Sequence, residues 1–116
     1  MKPERDIGYL EDMRRHAGEA VEFLGDKSAA DLREDIRTQY ATIRTAEIVG
    51  EAASQLSKPF KQAHPDLAWR KAMGLRNELI HGYRGVQLAI LIDTVRNDFP
   101  KLIADIDSIL AEEPPP

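Results

Sequence analysis

The chain has 116 residues and a mass of 13.1 kDa, of which 42% are hydrophobic and 31% charged, which fits one globular domain. It has no cysteine, which excludes a disulfide framework, a thiolate nucleophile and a cysteine-based zinc site. The net charge of −4 and the pI near 5.4 argue against a protein that binds nucleic acid through its overall charge, so any such ligand would need a local basic site. The polar start, with no stretch of membrane-spanning length, predicts a cytoplasmic protein with no membrane partner.

The first half of the chain has the periodicity of two helices. From Asp6 to Leu24 apolar residues recur every three or four positions, which predicts the first helix. Residues 25–28 have the composition of a turn, and Ser28 or Asp31 is expected to cap a second helix that runs to about Leu56. The apolar stripe expected along this second helix is Leu32, Ile36, Tyr40, Ile43, Ala53 and Leu56.

Prolines divide the middle of the chain. Because proline disfavours helical geometry in the residue before it, Pro59 and Pro65 predict the end of the second helix and a short connector. A third helix is expected from about Asp66 to Ile80. Its two neighbouring apolar faces are Trp69, Met73 and Ile80, and Ala72, Leu75 and Leu79.

The last third of the chain predicts a break at residues 83–85 and then a helical stripe from Leu88 to Leu110. The stripe passes through Pro100, so a kink or two abutting helices are expected there. Residues 111–116 are expected to be a disordered tail. The predicted fold is an all-α, up-and-down bundle of four to five helices, in a single domain over residues 1–116 with its core at about 6–110.

Four residues near the end of the third helix have side chains suited to phosphodiester chemistry. A neutral His81 imidazole can remove the proton of a ribose 2′-hydroxyl, and the Arg76 guanidinium can stabilise charge on the attacked phosphate without a metal. Asn77 lies one helical turn before His81, where its amide can orient the imidazole. Tyr83 adds an exposed phenol.

A purely structural interpretation of these residues is also open. A histidine near a helix end often interacts with the helix dipole, and an arginine often forms a surface ion pair. Five residues separate Arg76 from His81, roughly 140° around a helix, so the two do not converge within one continuous helix. Two arrangements would solve this, a helix that ends near Gly82 and a second protomer that completes the site, and both are expected.

The carboxylates of the second helix have two further interpretations. Glu47 and Glu51 lie four residues apart, as carboxylate metal ligands do in helical bundles, but the Glu-x-x-His spacing of a di-iron site is absent and no metal site is expected. Arg44 and Glu51 share a helix face, where they are expected either to form a buried polar pair that positions Arg76 or to be an ordinary structural ion pair.

The run from Arg76 to Tyr83 resembles the Arg-x4-His-x-Tyr signature of HEPN-domain proteins. The surrounding segments are similar to those of the HepT-like subfamily, so the resemblance spans about Asp6 to Leu110. The surrounding segments that resemble the subfamily are residues 43–44, 48–52, 64–71 and 95–100.

The resemblance implies a two-fold homodimer whose motif-bearing helices face each other across a cleft and cut RNA without metal or cofactor. By position, Arg76 and His81 are the implied catalytic residues and Asn77 a supporting one. Tyr83 is the implied site of AMPylation by a cognate minimal nucleotidyltransferase that acts as antitoxin in a type VII toxin-antitoxin system. No DNA partner is expected. The alternative is a non-catalytic binding subunit of a two-chain nucleotidyltransferase, which the acidic pI favours slightly.

Overall fold

The computed structural model describes residues 4–81 and 87–112, and all the regular secondary structure within these ranges is helical. This confirms the all-α class, with more elements than the four to five predicted. The helices are α1 (Glu4–Leu24), α2 (Ala29–Glu34), α3 (Ile36–Gln55), α4 (Lys58–Ala63), α5 (Trp69–His81), α6 (Leu88–Asp93), a π-helical segment (Thr94–Asp98) and α7 (Phe99–Ala111).

The core lies between the four long helices. Helix α3 packs against both α1 and α5, and α1 also packs against α7. The predicted face of α1 is buried at Leu10, Met13, Ala17 and Leu24, and α7 buries Phe99, Leu102, Ile106 and Ile109. Burial of these apolar faces is the main force that holds the bundle together.

The predicted second helix is two helices, so its continuity was predicted wrongly. Asp35 leaves helical geometry, with φ −116° and ψ 84°, and its carboxylate accepts the backbone N–H of Thr38 at 3.1 Å. A side chain that caps a helix in this way starts a new helix, which explains the break. The predicted cap at the other end of α2 is confirmed, because Ser28 and Asp31 form a reciprocal capping box.

The capping hydrogen bonds change the acidity of two aspartates. The backbone N–H and the hydroxyl of Ser28 hold the pKa of Asp31 below its usual value. The hydroxyl and the backbone N–H of Thr38 hold the pKa of Asp35 below its usual value. In both cases the hydrogen bonds favour the charged form of the carboxyl group.

Residues 58–63, which were predicted to be a connector, form α4. Pro59 lies in the first turn of this helix, where it needs no backbone N–H, and Ser57 is the N-cap. Ser57 is in turn held by the buried carboxylate of Asp6, which accepts its backbone N–H at 2.7 Å and its hydroxyl at 2.6 Å. Helix α5 begins at Trp69, three residues later than predicted.

The expected stripe of the second helix is correct only in part. Leu32, Ala53 and Leu56 are buried, but Ile36 is 48% exposed and Tyr40 is 63% exposed, so the core assignment of Tyr40 was wrong. Tyr40 is nine residues from the buried Val49, roughly 180° around α3, so its side chain lies on the face of the helix away from the core.

The predicted irregularity near Pro100 is confirmed, since Pro100 lies in the first turn of α7 and a π-helical segment precedes it. Arg96 of that segment donates to the carbonyl oxygens of Gly25 and Lys27, at 3.0 and 2.9 Å. Gly25 has a positive φ of 53°, which allows the chain to turn after α1.

The predicted break at residues 83–85 lies outside the described residues, as do residues 113–116 of the predicted disordered tail. Ala111, the first residue of that predicted tail, is instead the last residue of α7, so the tail was predicted to begin too early. Within residues 4–81 and 87–112, none of the helices combines the length and the apolar character needed to cross a membrane.

Candidate functional site

The helix that carries the Arg-x4-His motif lies very close to α3. A Cβ atom built on Gly50 of α3 would lie 2.2 Å from Cβ of Arg76 and 2.5 Å from the carbonyl oxygen of Ala72. No side chain larger than hydrogen fits at this crossing. Gly50 therefore sets the distance between the two helices, and with it the position from which the Arg76 side chain extends.

The guanidinium of Arg76 is held at the surface by a carboxylate of α3. Its Nη2 lies 2.8 Å from Oε2 of Glu51, and its Nη1 donates to Oδ1 of Asn77 at 3.5 Å. The Arg76 side chain is 33% exposed and that of Glu51 is 52% exposed, so the pair is open to solvent. A guanidinium has five N–H donors, so this one keeps donors available for a phosphate while Glu51 restricts its orientation.

The ion pair that Glu51 forms differs from the one predicted from the sequence. Arg44 and Glu51 do not form a buried pair, because both residues are exposed and the ion pair that Glu51 makes among the described residues is with Arg76. Glu51 contacts Arg76 directly. The spacing on α3 predicted a role for Glu51 at Arg76, but not this direct contact, because the contact depends on how close α5 lies.

The other site residues are placed to different extents. Asn77 is exposed and follows Arg76 directly, on the side of α5 away from the core. His81 is the last residue of α5, and its side chain lies outside what the structure describes, as does Tyr83. The predicted contact between Asn77 and the His81 imidazole thus stays a prediction.

Carboxylate metal binding at Glu47 and Glu51 was considered from their spacing and was not expected. No group of three or more histidine, aspartate or glutamate side chains suited to a metal ion occurs within residues 4–80 and 87–112. Glu51 is instead engaged by Arg76. The arrangement on α5 offers a fixed cation at the surface of the helix that ends at His81.

By fold and site the protein is an all-helical domain that carries an Arg-x4-His motif on a surface helix. Comparison with known proteins identifies its family. The chain belongs to the ribonuclease HepT-like family, whose model matches residues 13–109. This confirms the resemblance found in the sequence.

Individual relatives match along most of their length. A protein of Thermococcus cleftensis named "Probable ribonuclease HepT" is 39% identical over 94 residues, which cover 81% of this chain and 86% of that protein. A protein of Methanocaldococcus jannaschii named "Putative RNase" is 32% identical over 90% of this chain and 97% of its own. Another of that name, from Caldanaerobacter subterraneus subsp. tengcongensis, is 32% identical over 90% of this chain and 94% of its own. No solved structure matches the chain significantly.

Proposed function

We propose that this protein is a metal-independent endoribonuclease that acts as the toxin of a type VII toxin-antitoxin system. Membership of the ribonuclease HepT-like family supports the ribonuclease activity. The observation that carries the proposed site is the surface guanidinium of Arg76, which lies on the helix that ends at His81. Glu51 of α3 orients this guanidinium. An oriented cation of this kind stabilises negative charge on a phosphate in the transition state.

The proposed reaction is transesterification within RNA. His81 accepts the proton of a ribose 2′-hydroxyl as its oxygen attacks the adjacent phosphorus, and the bond from phosphorus to the 5′-oxygen breaks. Arg76 neutralises charge on the phosphate, and Asn77 supports His81. The partner subunit's His81 donates a proton to the leaving 5′-oxygen, so that the products carry 2′,3′-cyclic phosphate and 5′-hydroxyl ends.

The cleavage test uses purified, unmodified protein in EDTA with a labelled RNA. His81→Ala and Arg76→Ala should each lower the rate by about 100-fold or more, because each removes a group that acts in the transition state. His16→Ala is the matched control, since His16 lies on α1 and bonds to Glu19. Cleavage at the wild-type rate by His81→Ala, or cleavage lost on chelation, would overturn the mechanism.

We further propose that AMPylation of Tyr83 by a cognate minimal nucleotidyltransferase antitoxin silences the enzyme. Each AMP brings a negative phosphate and a large base, which would repel RNA and occupy its cleft. Co-expression with the candidate nucleotidyltransferase should add the mass of one or more AMP groups per chain. The addition should map to Tyr83 and disappear in Tyr83→Phe. Modified protein that still cuts RNA at the full rate would contradict this control.

A further inference from the structure

A basic groove lies at the opposite end of α5 from His81. It has a volume of about 290 Å³ and lies between α4 and the first turn of α5. Its lining residues are Lys58, Lys61, Gln62, Pro65, Trp69 and Arg70. The lining contains three cations and no carboxylate, although the protein as a whole has a net charge of −4. The groove is thus a local basic site of the kind that an acidic RNA-binding protein needs.

Two of the three cations of the groove lie beside an aromatic ring. The Nζ atom of Lys61 lies 5.2 Å from the centroid of the Trp69 ring, and the Cζ atom of Arg70 lies 4.8 Å from it. Within residues 4–81 and 87–112, neither these two cations nor Lys58 is paired with a carboxylate. Cations without counter-charges beside an aromatic ring are the usual means of binding single-stranded nucleic acid.

Trp69 also has an unsatisfied donor. Its Nε1 is buried and has no hydrogen-bond partner among the described residues. A buried donor of this kind costs free energy while it stays unpaired. An acceptor that enters the groove and displaces a neighbouring side chain would remove this cost, and phosphate and base oxygens are such acceptors.

An open stripe of α5 connects the groove to the motif. Arg70, Gly74 and Asn77 all lie within about 60° of one another around the helix, and all three are exposed. A Cβ built on Gly74 meets nothing within 4 Å, so bare helix backbone lies between Arg70 and Asn77. The Cα of His81 is 11 residues beyond that of Arg70, roughly 16 Å along the helix.

We propose that the groove of α4 and α5 binds the backbone of single-stranded RNA and that the stripe through Gly74 guides the strand to the end of α5. This inference rests on the proposed ribonuclease function, and adds to it a docking site remote from the reacting phosphate. At about 3.4 Å per stacked nucleotide, 16 Å corresponds to roughly five nucleotides. RNA much shorter than this cannot reach both the groove and the motif.

The first test measures binding of an unstructured 12-nucleotide RNA to the His81→Ala protein by fluorescence anisotropy at several salt concentrations. Lys58→Gln/Arg70→Gln should weaken binding by roughly tenfold and reduce the salt slope by about 0.7 for each lost phosphate contact. Arg33→Gln/Arg37→Gln removes the same charge from exposed residues of α2 and of the first turn of α3, and should have a much smaller effect. Equal affinities and slopes for the two double variants would overturn the proposal.

The second test places a negative charge on the stripe. Gly74→Glu and Gly8→Glu each replace an exposed helical glycine whose Cβ has open space, so both variants should fold. Gly74→Glu should weaken RNA binding by roughly tenfold, because the carboxylate repels the strand, and Gly8→Glu should not. Light scattering accompanies both measurements. A Gly74→Glu protein with an altered oligomeric state would mean that the stripe is a contact between copies, which overturns the guiding role.

A third measurement separates this inference from the proposed function. If the enzyme cuts RNA, Lys58→Gln/Arg70→Gln should lower kcat/KM for the 12-nucleotide RNA and leave that for a dinucleotide unchanged. Binding that depends on the groove, in a protein that cuts no RNA, would contradict the ribonuclease proposal but support the groove. Unchanged RNA binding together with loss of binding to the nucleotidyltransferase would assign the groove to that protein and overturn the RNA inference.

Discussion

Gly50 is the residue on which the geometry of the site depends most directly. Alanine at this position would place a methyl group 2.2 Å from Cβ of Arg76 and 2.5 Å from a backbone oxygen of α5. Neither atom belongs to the flexible end of a side chain, so α5 would have to move as a whole. The Arg76 guanidinium would then no longer lie within ion-pair distance of the Glu51 carboxylate.

We therefore expect Gly50→Ala to lower the free energy of unfolding by about 1–3 kcal/mol, the usual cost of overpacking. We also expect it to reduce RNA cleavage, because Arg76 would be displaced. Urea denaturation and a cleavage assay measure the two effects. Gly18→Ala on α1 is the control, because a Cβ there meets nothing within 4 Å. It should be neutral or stabilise by up to about 1 kcal/mol. A Gly50→Ala protein as stable as the control would contradict the close crossing.

Single residues were predictable where one helix decides their role, and unpredictable where two helices meet. The position of Arg76 on α5 and the relevance of Glu51 to it follow from helical spacing. The need for glycine at position 50 does not, because it arises from the distance between α3 and α5. The groove around Trp69 likewise combines α5 with α4, which was predicted to be a connector and not a helix.

At the scale of elements, capping explains most of the differences between the predicted and observed helices. Asp35 begins a helix inside a segment where hydrophobic periodicity predicted one continuous helix, and Ser57 begins a helix where the prolines predicted a connector. Periodicity reports which face is buried, while a cap depends on a few local hydrogen bonds. The buried Asp6, which holds Ser57, lies 51 residues away in sequence, so that contact could not be predicted.

The caps of α2 and α3 should make stability sensitive to acid. The pKa values of Asp31 and Asp35 are lower in the folded protein than in the unfolded chain. Their contribution is therefore present above the unfolded pKa of about 3.9 and is lost as the pH falls through the lower folded values. We expect the free energy of unfolding to fall less between about pH 5 and pH 2 in Asp31→Asn/Asp35→Asn than in the wild type.

Urea denaturation across this pH range measures the free energy of unfolding. Asp12→Asn/Asp26→Asn is the control, and equal slopes in the two double variants would contradict the assignment.

At the scale of the whole molecule, the site and the surface both favour a second copy of the chain. Arg76 and His81 are roughly 140° apart around α5, so one helix does not direct both at the same phosphate. Ile80, between them in sequence, is 41% exposed, and Ile90 on α6 is 37% exposed. Exposed large apolar side chains are typical of contact surfaces when they lie together, and a dimer through α5 would cover Ile80.

We expect the protein to be a dimer in solution, with a mass twice 13.1 kDa by light scattering at micromolar concentration. Ile80→Glu should shift it to monomer and lower RNA cleavage by about 100-fold or more, because the composite site would lose one half. Ile36→Glu is the matched control, since Ile36 is also an exposed isoleucine, at 48%, and lies on α3, outside the motif helix. It should leave both mass and activity near the wild-type values. A wild-type monomer would exclude the composite site. An Ile80→Glu protein that stays dimeric and active would place the interface on another surface.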